Sequence, residues 1–117
     1  MPRIPRRAAL AAVLALGALP VAARAADDYV GTWKVTDSHG RPFEITLNAD
    51  GTARSTLHPE HAGTWTRQDG AAVIVWNTGW TSKIRHLASG RAVHMGYAPG
   101  QKPTGTPHGT SAAEKLR

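Results

Sequence analysis

The chain is predicted to be all-β, an antiparallel meander of about seven short strands that folds into a small closed or half-open barrel. Three observations predict it. Short runs rich in Val, Ile, Thr and Trp recur after residue 26; Gly, Asp and Asn clusters separate them; and no stretch of that region sustains a helical period. The run Phe43 to Asn48 shows the pattern most clearly, with Phe43, Ile45 and Leu47 alternating with Glu44, Thr46 and Asn48 as in a half-buried strand.

The elements follow in order. A first strand spans about Val30 to Thr36 and ends at Asp37-Ser38-His39-Gly40; the second is Phe43 to Asn48. Asn48-Ala49-Asp50-Gly51 then forms a hairpin turn, with Gly51 in the left-handed conformation that side chains resist. Strand three is Thr52 to Leu57, a loop covers His58-Pro59-Glu60-His61, strand four is Gly63 to Arg67, and Gln68-Asp69-Gly70 leads into Ala71 to Trp76. That fifth strand is apolar on both faces, which suggests a central position. Asn77-Thr78-Gly79 fits a three-residue hairpin loop, and the flanking Trp76 and Trp80 are expected to stack across it. Strand six is Trp80 to Leu87, and strand seven is Arg91 to Tyr97.

Outside the meander, two segments differ in composition. Arg3, Arg6 and Arg7 precede an uncharged apolar run from Ala8 to about Ala23, and Ala23-Arg24-Ala25 has small residues where a signal peptidase requires them. Residues 1–25 are therefore expected to be a cleavable signal peptide, and the mature chain to be secreted or periplasmic. Arg6-Arg7 leaves the twin-arginine route open beside the general one. The apolar run is shorter than the roughly 20 residues of a bilayer-spanning helix, so no membrane span is expected after cleavage. Residues 26–98 form the β-domain, and residues 99–117, rich in Pro and Gly, are expected to be a tail that cannot extend a sheet.

Charge and composition exclude several classes of function. The precursor carries +6, but removal of Arg3, Arg6, Arg7 and Arg24 leaves ten of its 14 cationic residues against eight acidic ones, a net of +2. Those charges form no cluster, so no nucleic-acid partner is expected. The chain has no cysteine, which rules out both a disulfide framework and a lipoprotein anchor. A small domain of this kind has to be stabilised by packing, and Trp33, Trp65, Trp76 and Trp80 are the obvious material.

The opening Gly31-Thr32-Trp33 resembles the Gly-x-Trp strand of lipocalin-like and avidin-like barrels, in which the first-strand tryptophan closes one end. Gly63-Thr64-Trp65 echoes it, either as a duplicated hairpin unit or as convergence on one strand-entry chemistry. With Leu47-Asn48-Ala49-Asp50-Gly51-Thr52-Ala53, Trp76-Asn77-Thr78-Gly79-Trp80 and Tyr97-Ala98-Pro99-Gly100, the chain is similar over residues 29 to 100 to a loose group of short exported bacterial proteins of unassigned function. That similarity implies an open or closed β-meander and no activity. The later lipocalin signatures are missing, and a barrel of about 70 residues is expected to be filled by its own side chains.

Three chemistries remain. His58 and His61, three apart in a loop, are weak metal candidates, with His39, His86 and His94 as further donors; no third ligand stands at a fixed spacing. Ser38, Ser55, Ser82 and Ser89 lie in no nucleophile motif, the carboxylates sit mainly at turns, and no phosphate-binding glycine loop is present, so neither catalysis nor a cofactor is expected. Recognition is left: Trp76 and Trp80 as an aromatic platform for a small apolar or sugar ligand, with Lys83, Arg85 and His86 beyond it. The alternative is a protein-interaction or inhibitor domain of the cell envelope that uses an edge strand of an unclosed sheet.

Overall fold

The computed structural model describes residues 28–57 and 61–117. The expected signal peptide and His58 lie outside these residues. Eight strands form one closed antiparallel barrel in simple meander order: β1 Gly31–Thr36, β2 Pro42–Leu47, β3 Thr52–Ser55, β4 Ala62–Gln68, β5 Ala71–Trp76, β6 Thr81–His86, β7 Ala92–Tyr97 and β8 Gly109–Lys115. The first seven coincide with the expected strands to within about two residues at each end, the scatter normal for strand boundaries.

The eighth strand corrects the expectation of a tail. Gly109–Lys115 contains no proline, and it pairs with β7 from Ala92↔Ala113 to Gly96↔Gly109 and with β1 at Trp33↔Lys115 and Lys34↔Glu114. Arg117 and Leu116 extend the seam through Thr32 N–H to the Arg117 carbonyl (2.9 Å) and Leu116 N–H to the Thr32 carbonyl (2.8 Å). Proline and glycine are concentrated in the loop 98–108 ahead of this strand, so averaging over the whole segment hid a short alternating run behind a long turn. Closure leaves no strand central, and the two apolar faces of β5 have another cause. Ala72, Ile74 and Trp76 point inward, while Ala71 and Val73 on the outer face are covered and Val75 is exposed. In register beside Ala71 and Val73 stand Arg85 and Lys83, whose aliphatic stems suit an apolar neighbour.

Inward residues alternate as period two requires, and they form the core: Trp33 and Val35, Ile45 and Leu47, Ala53, Trp65, Ala72, Ile74 and Trp76, Ile84, Ala92 and Ala113. Three of the four tryptophans are buried, whereas Trp80 is 38% exposed. The turns behave as expected: Gly51 takes φ 91°, and Gly79 N–H donates to the Trp76 carbonyl (3.0 Å) in the 77–79 loop.

The two Gly-Thr-Trp segments lie on β1 and β4, which run in opposite directions, so they do not head equivalent hairpins. What they share is local. A Cβ on Gly31 would run into the Arg117 carbonyl oxygen, and one on Gly63 into the Val75 carbonyl oxygen, so close backbone approach demands glycine at both. Each following indole turns inward and donates to a carbonyl, Trp33 Nε1–H to Tyr29 (2.9 Å) and Trp65 Nε1–H to Asn48 (2.8 Å).

Candidate functional site

The barrel ends differ. One end carries the turns 48–51, 69–70 and 87–91 together with the chain on either side of the β1–β8 seam, and Tyr29 plugs it. Tyr29 is fully buried; its hydroxyl donates to the Gly70 carbonyl (2.6 Å) and accepts His86 N–H (3.2 Å). The His86 ring stacks on it at 4.7 Å, Trp33 packs at 6.1 Å, and the Arg67 guanidinium lies 5.1 Å from the ring centroid. A more open depression of about 520 Å³ remains at this end, between Trp33, His86 and the 90–92 and 112–115 segments. Several of the side chains there are engaged: His86 stacks on Tyr29, and Lys115 Nζ lies over the Trp33 ring at 5.9 Å.

The other end carries the loops 37–41, 77–80 and 98–108 together with residues 56–57 and 61, and it opens into a cup of about 620 Å³. The expectation that the barrel fills its whole interior fails here, because the inward positions nearest this mouth are small: Ser55, Ser82, Gly96 and Gly109. Phe43 and Trp76 supply apolar wall, Leu57 and Trp80 stand exposed at the rim, and His39, Arg41, His61 and His108 surround it. Asp37, the acidic residue among the lining side chains, is engaged: its carboxylate accepts Arg41 N–H, His39 N–H and Arg41 Nε–H. The hydrogen bond from Arg41 N–H, with these others, holds its carboxyl below the usual range.

At the bottom of the cup His94 is 6% exposed between two serines. Burial without a charged partner lowers its pKa to about 4, so the ring is neutral at pH 7. For a neutral ring one proton arrangement satisfies every group. Trp76 Nε1–H donates to Ser82 Oγ (3.0 Å), and the Ser82 hydroxyl donates to His94 Nε2 (3.1 Å). On the other side His94 Nδ1–H donates to Ser111 Oγ (3.4 Å), and Ser111 bridges to Thr36, accepting its N–H (3.2 Å) and donating to its carbonyl (3.4 Å). The β1–β8 pairing ends at Lys34↔Glu114, so this serine spans the seam where the ladder stops. Phe43 meets the His94 ring edge-on at 6.1 Å.

The structure therefore divides the ligand candidates. Trp76 and Trp80 both line the cup and close their hairpin, Trp76 N–H to the Trp80 carbonyl (2.9 Å). They do not stack: Trp76 is drawn inward by Ser82, and Trp80 packs edge-on against His108 at 5.2 Å. Lys83 and Arg85 point away from the cup, where Lys83 Nζ–H donates to the Pro103 carbonyl (2.9 Å) and Arg85 to the Asp69 carbonyl (3.0 Å). His86 lies at the plugged end. Of the metal candidates His61 reaches the rim, and among the described residues no group of three His, Asp or Glu side chains is placed to hold a metal ion. Phe43, Gly96, Ser111 and Gly109 were not singled out as site residues from the sequence; Phe43 and Gly96 lay in expected strands, and Ser111 and Gly109 in the segment read as a tail. Among the described residues no helix is long and apolar enough to cross a membrane. The chain matches no known family, no curated protein and no solved structure.

Proposed function

We propose that the mature chain is an exported, lipocalin-like, non-catalytic binding module that takes a small, largely apolar ligand into the cup at the open mouth. The observation that carries this reading is the lining of the mouth, about 620 Å³ walled by Phe43, Trp76 and Trp80, a size typical of small-molecule sites, whereas the depression of about 520 Å³ at the other end is more open and lies beside an axis that Tyr29 fills. Phe43, Trp76, Leu57 and Trp80 offer apolar contact, and the buried polar groups are already bonded to each other. At the bottom of the cup few hydrogen bonds remain for a sugar, whose hydroxyls lose water on burial and need replacements.

Ser82 and His94 stand within the distance of a nucleophile and its base, which raises catalysis as an alternative. Two features favour binding. Ser82 Oγ already accepts the Trp76 N–H, and the partner of His94 Nδ1 is a serine, where a carboxylate would stabilise the imidazolium of a hydrolase. The edge-strand alternative loses its support because the barrel is closed.

The test is titration of isotope-labelled mature protein with decanoic acid, indole and glucose, followed by amide NMR shifts. The expected result is saturable shifts from decanoic acid or indole, clustered at Trp80, His94 and Thr110 and sparing Tyr29 and His86. Shifts from glucose alone, shifts at the plugged end, or none with any probe would refute the reading.

A further inference from the structure

The inner wall of the mouth carries a more specific message, which rests on the binding reading above. Gly109, Gly96 and Ser82 lie side by side in one row across β8, β7 and β6, through the pairs Gly96↔Gly109 and Ser82↔Gly96. Both glycines line the cup, and a Cβ built on either would meet no atom within 4 Å. Neither has a positive φ, so neither turn geometry nor crowding requires glycine there. Glycine in a strand interior weakens the strand, and two of them paired directly across a ladder leave bare backbone facing the cavity.

The barrel contains its own example of what suits such a surface. Gly63 on β4 is also an inward glycine, and the Trp76 indole lies on it, its Cε3 3.1 Å from the position a Cβ would take. A flat ring on a bare patch of strand is thus a packing this interior already uses. The Gly96–Gly109 patch has the same form, and among the described residues nothing beyond each glycine's own chain neighbours comes within 4 Å of where its Cβ would stand.

The adjacent polar atom narrows the ligand. In the arrangement that satisfies the His94 network, Ser82 Oγ accepts from Trp76 and donates to His94, which leaves it one acceptor lone pair and no proton. Ser111 Oγ accepts twice and donates once, so it has nothing left to offer. No charged side chain lies in the row to pair with an ionised ligand.

We propose that the Gly96–Gly109 panel is the seat of a flat, uncharged ring bearing one N–H or O–H, which donates to Ser82 Oγ. The small residues keep the slot wide enough for the ring, and the serine sets its orientation. Alanine at either glycine would put a methyl group into the slot without touching the fold.

Indole has the shape and the donor; 1-methylindole has the shape alone; decanoic acid has neither. The experiment is calorimetric titration of native protein, Gly96→Ala and Gly109→Ala with all three, with melting curves for each variant. Native protein is expected to bind indole at least about tenfold more tightly than either alanine variant, and several-fold more tightly than 1-methylindole, as loss of one hydrogen bond implies. The variants should melt at or above the native temperature, because alanine restricts the unfolded chain where the fold has room for it. Equal indole affinity in native protein and both alanine variants would overturn the seat, as would failure of native protein to bind indole. If decanoic acid still binds at the mouth in either of those cases, the binding reading survives and the ring seat alone falls.

Discussion

The two ends of this barrel are built from the same strands by the same alternation, yet at one the axis is filled by Tyr29 and at the other it stays open. At the plugged end the inward positions are Trp33, Leu47, Trp65 and Ile84, and Tyr29 from outside the strands fills the axis. At the mouth the corresponding positions are Ser55, Ser82, Gly96 and Gly109, and the apolar groups that remain, Phe43 and Trp76, lie along the wall. Packing to native density is what stabilises a small cysteine-free domain. The plugged end therefore carries the stability, and the mouth gives up part of it for accessible volume.

Four measurements would break or sharpen that contrast. The largest effect is expected from removing residues 109–117. β8 bonds to both β7 and β1, so its loss opens the barrel along two ladders, and thermal unfolding followed by circular dichroism should lose its cooperative transition. A truncated chain that melts as sharply as the intact one would show that closure is dispensable to both ends.

Next comes Trp33→Ala, which empties the plugged end and removes the bond to Tyr29. A cost of about 3–5 kcal/mol is expected in urea denaturation, the range for a buried aromatic truncated in a core. A change below about 1 kcal/mol would mean that this end is not the stabilising one.

His94 gives the mouth a pH signature. Its folded pKa, about 4, lies below the ordinary 6.5, so between those values the unfolded chain binds a proton that the folded chain does not. Stability is whole above about pH 6.5 and falls as the pH drops toward 4, by about 3 kcal/mol in total at 1.36 kcal/mol per unit. Denaturation midpoints of native protein and His94→Gln should diverge on the neutral side of this window and converge at its acid end. Parallel pH profiles for the two proteins would contradict a neutral buried ring. Carboxylates held below their usual range, Asp37 and Asp50, lose their contribution only at lower pH.

The smallest effect is expected from Trp80→Ala. The ring is exposed at the rim and touches His108, so stability should change by less than about 0.5 kcal/mol while probe binding in the cup weakens. A stability loss like that of Trp33→Ala would make Trp80 a core residue despite its exposure.

Much of this architecture was legible in the chain. Phe43-Glu44-Ile45-Thr46-Leu47 alternates so regularly that only a half-buried strand accommodates it, and the strand Ala71–Trp76 has the expected limits to the residue. The Asn77-Thr78-Gly79 loop was also legible, because hairpin loops depend on a few neighbouring residues. The candidate site was legible only in part. Trp76 and Trp80 are adjacent in the hairpin and were found together; Lys83, Arg85 and His86 follow them in sequence but leave for the outer wall and the opposite end. Of the site's other members, Ser111, Gly96 and Gly109 come from β7 and β8 and nothing local marks them, and His94 stood out only as a possible metal donor.

Period-two alternation, turn chemistry and the absence of cysteine are local properties, so the sequence by itself determined the class of fold, the strands up to Tyr97 and the reliance on packed aromatic rings. Closure by Gly109–Lys115, the division between a plugged end and an open one, and the His94–Ser82–Ser111 network depend on contacts between residues up to 82 positions apart, the separation of the paired Trp33 and Lys115. Only the tertiary structure decided those, because a barrel's interior is defined by which residues meet across its axis and its seam, and no window along the chain contains both sides.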